Sequence, residues 1–182
     1  MSEIIPAILA TDIPDLESKL AEIPSKVKFV HIDVLEEDYW TDIGIGFEAH
    51  LMVKKPAEII DRWITRGAKR IIVHKLGDLA SRPVEIGLGV EFHTPLEEVY
   101  PFLPQVDFVH LMSIDALGTQ GDDFEPGIFG RIRQVREKFP KMKIGVDGGV
   151  SKENYRRLIE AGADRLIVGS HFKDLWNLLK KK

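Results

Sequence analysis

Two side chains that can bind a metal ion or transfer a proton, His31 and Asp33, stand two residues apart in the apolar stretch 29–35. Successive side chains of a strand point to opposite faces, so His31 and Asp33 would share one face of a strand here. The opposite face carries β-branched residues, Val30, Ile32 and Val34. Taken alone, a His-x-Asp pair is more typical of a hydrogen-bonded core, because buried polar groups are usually paired.

Two further apolar stretches carry residues of the same kinds, which favours a functional site. His50 lies in the stretch 47–53, and Asp147 lies in the stretch 143–149, where two glycines follow it. Three strands therefore offer two imidazoles and two carboxylates. The chain has no cysteine, so a metal ion would have to be bound by His, Asp or Glu, and a cysteine nucleophile is excluded.

The composition is ordinary for a soluble globular protein. With 182 residues the chain can bury one sizeable core, so we expect a single domain over residues 1–182. The net charge of -4 offers no basic surface for nucleic acid. No apolar stretch approaches the length of a membrane span, and residues 1–3 do not resemble a signal peptide, so we expect a cytoplasmic protein with no membrane contact.

The order of strands and helices indicates the fold class. Strands are predicted at 4–9, 28–35, 47–53, 70–74, 86–92, 108–114, 143–146 and 165–168. Helices are predicted at 56–67, 95–103, 126–139, 151–161 and 172–179, with an earlier one capped by Asp12 or Asp15. Eight such units predict a parallel α/β sheet closed into a (β/α)8 TIM barrel, with an open doubly wound sheet as the alternative. Chemistry in a barrel lies where strands end, as Asp33 and Asp147 do.

Seven short motifs occur along nearly the whole chain. They are Ile5-Pro6-Ala7-Ile8-Leu9, His31-Ile32-Asp33-Val34, His50-Leu51-Met52-Val53, Thr94-Pro95-Leu96, Met112, Val146-Asp147-Gly148-Gly149 and Val168-Gly169-Ser170. In these motifs and their order the sequence resembles the ribulose-phosphate 3-epimerase family. The resemblance implies a (β/α)8 barrel of the ribulose-phosphate-binding type that interconverts D-ribulose 5-phosphate and D-xylulose 5-phosphate by inverting C3 through an enediolate.

The resemblance also implies roles for individual residues. One divalent metal ion per chain would be bound by His31, Asp33, His50 and Asp147. Asp33 and Asp147 would serve as opposed acid and base, because inversion needs one group on each face of the enediolate. Two imidazoles and two carboxylates suit Zn, Fe(II), Mn or Co.

Contacts to the substrate follow in the same way. By resemblance, Met52 and Met112 would wall the intermediate, although filling of the barrel core explains these methionines equally well from the sequence alone. The phosphate would meet small residues that expose backbone N–H groups, namely Gly148, Gly149, Gly169 and Ser170.

The sequence departs from the family pattern at three substrate contacts. Ala7 stands where the family has a serine, and Leu35-Glu36-Glu37 replaces its Met-Asp-Gly. The loop 113–121, which corresponds to a glycine-rich phosphate loop, contains Asp115, whose charge would repel a nearby phosphate.

Two connections are also short. The stretches 36–46 and 75–83 leave too little room for full helices, so we expect the helices after strands 2 and 4 to be shortened or missing. Their loss would uncover apolar strand faces, which a monomer seldom exposes as a large patch. We therefore expect that a partner subunit of a homo-oligomer, or the segment Tyr39-Trp40 folding back, covers these faces.

The remaining histidines are weaker candidates. His110 is interpreted as a satisfied core histidine beneath Met112. His74, His93 and His171 lie near strand ends, where they could touch a substrate. Two other functions stay open: epimerisation or isomerisation of a different ketose or ketose phosphate, and binding of a sugar phosphate without catalysis.

Overall fold

The chain folds into a closed barrel of eight parallel strands. The computed structural model describes residues 2–76, 82–115, 118–119, 121 and 123–180. The strands are β1 (Glu3–Leu9), β2 (Phe29–Val34), β3 (Gly46–Leu51), β4 (Arg70–Val73), β5 (Glu85–Val90), β6 (Phe108–Met112), β7 (Lys143–Asp147) and β8 (Arg165–Val168). Each strand pairs with the next, and β8 pairs with β1. The predicted (β/α)8 barrel is confirmed, and the open-sheet alternative is wrong because the sheet has no free edge.

Helices cover most of the outside of this barrel. They are α1 (Ile13–Ala21), α2 (Ile60–Thr65), α3 (Leu96–Val99), α4 (Ile128–Lys138), α5 (Tyr155–Ala161) and α6 (Phe172–Leu179). Asp12 caps α1, its side chain accepting a hydrogen bond from the backbone N–H of Asp15 at 2.7 Å. The prediction that Ser151 opens a helix is wrong by four residues, because the Ser151 hydroxyl accepts from Glu153 within a turn and α5 begins only at Tyr155. The part of the chain that the structure describes holds no helix long and apolar enough to span a membrane.

The two short connections contain no helix where they are described. The link from β2 to β3, residues 35–45, is irregular, which confirms the prediction for strand 2. In the link from β4 to β5 the described residues, 74–76 and 82–84, are likewise not helical, and residues 77–81 lie outside the description.

The segment between β2 and β3 folds back over the outside of the barrel. Trp40 packs edge-on against Trp63 of α2, with ring centroids 5.5 Å apart, and against Phe47 of β3 at 5.9 Å. Asp38, held at a positive φ of 49°, accepts a hydrogen bond from the Trp63 indole at 2.7 Å and another from Arg66 at 2.8 Å. Cover by Trp40 is confirmed for the face after β2, while cover of the face after β4 and the homo-oligomer stay predictions.

Inward-facing side chains fill the barrel in layers. At the end where the strands begin, Arg70 bonds Glu3 at 2.8 Å and Arg165 bonds Glu85 at 2.8 Å. Phe108 lies beside the guanidinium of Arg165, and its ring occupies the space next to the inward-facing Gly87, where a Cβ would be only 2.3 Å away. We call the layer formed by Glu3, Arg70, Glu85 and Arg165 the charged floor. The polar residues of the candidate site form the layers above it.

Candidate active site

Strand register brings the polar residues of neighbouring strands side by side. Asp33 pairs in register with His50, His31 with Glu48, and Met112 with Asp147. Because in-register residues of parallel strands point the same way, each pair faces the interior of the barrel together. Residues that are distant in the sequence therefore converge at one end of the barrel.

The two aspartates lie against two imidazole nitrogens. Nε2 of His31 is 3.2 Å from Oδ1 of Asp33 and 3.6 Å from Oδ2 of Asp147. Nδ1 of His50 is 3.5 Å from Asp33 and 3.6 Å from Asp147. Burial alone would raise the pKa of each carboxyl, but hydrogen bonds from the imidazoles lower both pKa values below the ordinary range. Both carboxylates are therefore ionised beside two imidazoles.

Glu48 orients the imidazole of His31. It is buried, and its Oε1 accepts a hydrogen bond from Nδ1 of His31 at 2.8 Å. Its Oε2 accepts from Arg70 at 3.1 Å. Burial opposes a charge on His31, but the bonds to Asp33 and Glu48 raise its pKa well above the ordinary value. Because Nδ1 is committed to Glu48, Nε2 is the nitrogen that faces the aspartates.

His74 orients the imidazole of His50 in the same way. The two Nε2 atoms are 2.8 Å apart. Burial and the neighbouring charge of His50 lower the pKa of His74 to about 3, so His74 is neutral. Burial also acts against a charge on His50, but the two aspartates raise its pKa. His50 therefore donates from Nε2 to His74, and its Nδ1 is directed at the carboxylates.

His110 does not match its sequence interpretation in full. It is completely buried, as expected, but its Nε2 lies 3.1 Å from Oδ2 of Asp147, inside the polar cluster. Its ring stacks on His31 with centroids 5.5 Å apart, and its Nδ1 has no hydrogen-bond partner among the described residues. The imidazole is therefore neither remote from the site nor fully satisfied.

One pocket opens above this cluster, at the ends of the strands where barrels carry their chemistry. Its lining includes Asp33 and Asp147 together with every residue that the sequence assigned to the substrate: Met52, Met112, Gly148, Gly149, Gly169 and Ser170. Ala7 and His171 also line it. His31 and His50 are fully buried beneath the aspartates. The alanine confirms that the pocket wall lacks a hydroxyl at this position.

The glycine pair after β7 is required by the backbone and by space. Gly148 and Gly149 have positive φ angles of 108° and 61°, which side-chain-bearing residues rarely adopt. A Cβ on Gly148 would lie 2.7 Å from Ile114, and one on Gly149 would lie 2.8 Å from Phe124. These glycines bring the backbone to the edge of the pocket, as an anion site of backbone N–H groups needs.

Asp115 is turned away from this pocket. Its Oδ1 accepts a hydrogen bond from Nε2 of His93 at 2.7 Å, and both side chains are exposed. Residues 118, 119 and 121 of the same loop do line the pocket, while residues 116, 117, 120 and 122 lie outside the description. The repulsion expected between Asp115 and a bound phosphate is therefore reduced, because the carboxylate is exposed to solvent and bonded to His93.

The donor set at the pocket floor fits a divalent metal ion. Donor atoms about 2.1 Å from one ion lie roughly 3–3.5 Å from each other, close to the separations between these imidazole nitrogens and carboxylate oxygens. One ligand atom from each of His31, His50, His110 and Asp147 lies within 4.8 Å of the others. Nδ1 of His50 is buried and lies 3.5 and 3.6 Å from the two carboxylates, so it is directed at the position that an ion would occupy.

Solved structures share the barrel at low sequence identity. KGPDC from Streptococcus mutans has a TM-score of 0.69 at 9% identity, and the match covers 99% of this chain and 96% of that one. The 3-hexulose-6-phosphate synthase from Salmonella typhimurium has a TM-score of 0.68 at 14% identity, with 94% and 90% covered. At these identities the likeness shows the fold alone.

Proteins related in sequence identify the family. The ribulose-phosphate 3-epimerase of Chlamydia muridarum is 30% identical over 210 residues, covering 98% of this chain and 92% of that protein. That of Schizosaccharomyces pombe is 26% identical, with 93% and 86% covered. The profile of the ribulose-phosphate 3 epimerase family matches residues 3–173. The chain therefore belongs to the ribulose-phosphate 3-epimerase family.

Proposed function

We propose that this protein catalyses epimerisation at C3 of D-ribulose 5-phosphate and D-xylulose 5-phosphate through an enediolate. The observation that carries the proposal is the pair of ionised carboxylates at the pocket floor, Asp33 and Asp147, each within 3.6 Å of the same two imidazole nitrogens. Membership of the family supports the choice of a pentulose phosphate as substrate.

Asp33 and Asp147 are the acid and the base in this proposal. One aspartate, as a carboxylate, removes the proton from C3 on one face, and the other, which must first take up a proton in the pocket, delivers that proton to the opposite face. In the reverse direction the roles exchange. Both side chains are only slightly exposed, at 11% and 13%, so solvent has little access to the proton while it is transferred.

We propose one divalent ion, Zn, Fe(II), Mn or Co, bound by His31, Asp33, His50 and Asp147. When bound there, the ion supplies a Lewis acid that stabilises negative charge on the two oxygens of the enediolate. Glu48 and His74 hold the imidazoles with one nitrogen directed at the site, which is the usual arrangement around histidine ligands.

The rest of the pocket would hold the sugar phosphate. Met52 and Met112 offer an apolar wall to the carbon chain. The turns at Gly148-Gly149 and Gly169-Ser170 offer backbone N–H groups to the phosphate. Ala7 supplies no hydroxyl, so we expect this wall to contact the substrate by packing alone.

The test is epimerisation of D-ribulose 5-phosphate by purified protein, with and without a chelator and with each of the four metals restored. We expect turnover that the chelator abolishes and a divalent ion restores. Asp33→Asn and Asp147→Asn should each lower kcat by at least about a hundredfold, since removal of a positioned acid or base costs about 10²–10⁴-fold. Asp115→Asn is the matched control, because this aspartate lies on an adjacent loop and bonds His93 instead.

Deuterium exchange distinguishes the proposed chemistry from the alternatives. In heavy water, the product of each inversion should carry solvent deuterium at C3, because the proton is delivered by a group other than the one that removed it. Turnover confined to other ketoses would replace the substrate in this proposal. Binding of sugar phosphates with no exchange at C3 under any metal would overturn the epimerase function.

A further inference from the structure

The third imidazole at the pocket floor belongs to His110, which stands in the middle of β6. Its side chain is 1% exposed, its ring is 4.9 Å from that of His50, and its Nε2 is 3.1 Å from Oδ2 of Asp147. By distance alone His110 could be a further ligand of a metal ion, since it belongs to the group of four residues whose ligand atoms lie within 4.8 Å. The position of its ring proton decides between a ligand and a hydrogen-bond donor.

The other two imidazoles each have a hydrogen-bond acceptor for their outer nitrogen. His31 donates from Nδ1 to Glu48, and His50 donates from Nε2 to His74. A proton on the outer nitrogen leaves the inner nitrogen free to bind a metal ion, and metal-binding histidines almost always have such an acceptor. These two residues are therefore arranged as ligands.

His110 lacks this arrangement. Its outer nitrogen, Nδ1, has no hydrogen-bond partner among the residues that the structure describes. It faces Gly145 of β7, where a Cβ would lie only 3.0 Å from Nδ1, so the glycine makes room for the ring and offers Nδ1 no side-chain acceptor. A buried N–H group without an acceptor is rarer and more costly than a buried acceptor without a donor. The proton of His110 therefore resides on Nε2, where the ionised Asp147 accepts it.

We propose that His110 is a positioning residue, which donates a hydrogen bond from Nε2 to Asp147 with or without a metal ion and leaves His31 and His50 as the nitrogen ligands. The inference rests on the proposed function in one respect, the role of Asp147 as acid and base. It adds a fixed donor beneath one of the two aspartates.

His110 on β6 and Ser113 just after it then contact both the side chain and the main chain of Asp147. Ser113, just after β6, donates its backbone N–H to the carbonyl of Asp147 at 2.7 Å, and its hydroxyl lies 2.9 Å from that oxygen and 2.6 Å from the carbonyl of Gly148. His110 fixes the carboxylate from below. The chain thereby sets the position of one catalytic group independently of the ion.

The first test is the tautomer of His110, read by ¹⁵N–¹H NMR of histidine-labelled protein without metal and loaded with Zn. His110→Gln identifies the His110 signals by their loss. We expect a protonated Nε2 and a bare Nδ1 on His110 in both states, while Zn displaces the protons of the inner nitrogens of His31 and His50 into solvent. A protonated Nδ1 with Nε2 bound to Zn would make His110 a ligand and overturn the proposal.

The second test compares His110→Gln with His110→Leu. A glutamine amide can place an N–H donor near Asp147, whereas leucine fills the space without a donor. We expect His110→Gln to bind Zn within about threefold of the original protein, and kcat to fall by about 10–100-fold in His110→Leu but by less than about fivefold in His110→Gln. Equal kcat in His110→Leu and the original protein would contradict a positioning role, as would a loss of Zn affinity in both variants.

These outcomes are separable from those of the proposed function. If the original protein turns over no ketose phosphate, the epimerase function fails, and the NMR tautomer and the Zn affinities still decide whether His110 donates or ligates. Thermal unfolding of both variants checks that the barrel remains folded.

Discussion

The chemistry of the site depends on which nitrogen of each imidazole faces the aspartates, and buried neighbours decide this. Glu48 is the clearest case, a carboxylate with 1% exposure that connects His31 to Arg70. The apolar stretch around His50 drew attention to the histidine, but Glu48 stands two residues earlier on the same strand face. A charged residue at an inward position of a strand is the signal by which the sequence could have identified Glu48 as part of the site.

Replacement of Glu48 by Gln should weaken metal binding. The amide accepts less strongly from His31 and can present its NH₂ group instead, so the ligand nitrogen is less well oriented. We expect metal affinity to fall by about 10–100-fold, measured by competition with a chelator. Glu85→Gln is the control, because Glu85 belongs to the charged floor and bonds Arg165 rather than a histidine. Equal losses in both variants would contradict this role of Glu48.

Metal binding should also depend on pH. Burial opposes a charge on His31 and His50, but hydrogen bonds to carboxylates raise the pKa values of both imidazoles, so protons compete with the ion for these nitrogens. Affinity should rise with pH until these pKa values are passed, by up to about tenfold per pH unit for each proton displaced. Calorimetry at about pH 6, 7 and 8 in two buffers of different ionisation enthalpy counts the protons, and release of none would refute the prediction.

Among the elements, the link between β2 and β3 shows how a barrel can do without an outer helix. Trp40 contacts α2 and β3 and places one large aromatic ring where a helix would lie. The guanidinium of Arg66 lies 4.9 Å from the Trp40 ring, and Asp38 ties the segment to α2. Consistent with this economy, the alignment with the Chlamydia muridarum enzyme extends over 210 residues, more than the 182 of this chain.

Truncation of this ring should destabilise the barrel. We expect Trp40→Ala to lower the free energy of unfolding by about 2–4 kcal/mol, somewhat less than a fully buried tryptophan because Trp40 is partly exposed. Urea unfolding followed by circular dichroism measures the change. Phe102→Ala should cost less than about 1 kcal/mol, since that ring is 46% exposed. A loss at Trp40 no larger than at Phe102 would mean that the segment covers the barrel only loosely.

Local pattern predicted the elements and the first layer of the site, because a period of two within each strand assigns His31, Asp33 and His50 to inward positions. It could not predict contacts that depend on register between strands. The sequence favours a satisfied core histidine at position 110, because nothing in β6 reveals that His110 pairs with Gly145, two residues before Asp147 on β7. The start of α5 was misplaced because Ser151 caps a turn rather than the helix itself.

For the whole molecule, the charged floor couples strands that are distant in sequence. Arg70 on β4 contacts Glu3 on β1 and Glu48 on β3, and its guanidinium lies 4.3 Å from the ring of Phe29 on β2. Arg165 on β8 joins Glu85 on β5 across the barrel. The floor thus seals the end opposite the pocket and at the same time supports the residue that orients His31.

Replacement of Arg70 should lower the stability of the barrel and weaken metal binding. Arg70→Met leaves the buried charge of Glu48 without its cation, and breaking such a pair by loss of one partner costs about 3–5 kcal/mol. We expect a loss of about 3 kcal/mol, because one side of Arg70 reaches solvent, with weaker metal binding as well. Arg157→Met, which removes an exposed arginine, should change stability by less than about 1 kcal/mol. If the two variants unfold at the same urea concentration, the floor contributes little.

The pairing of the first strand with the last also has a consequence for how the protein is made. The backbone N–H of Glu3 donates to the carbonyl of Asp164, and residues 3–6 pair with residues 165–168. The partner strand of β1 is therefore synthesised about 160 residues after β1 itself. Until β8 emerges from the ribosome, one edge of β1 is unpaired, and the incomplete sheet has two exposed edge strands. Closure of the ring therefore comes late in synthesis, and the nascent chain is most open to misassociation just before β8 leaves the ribosome.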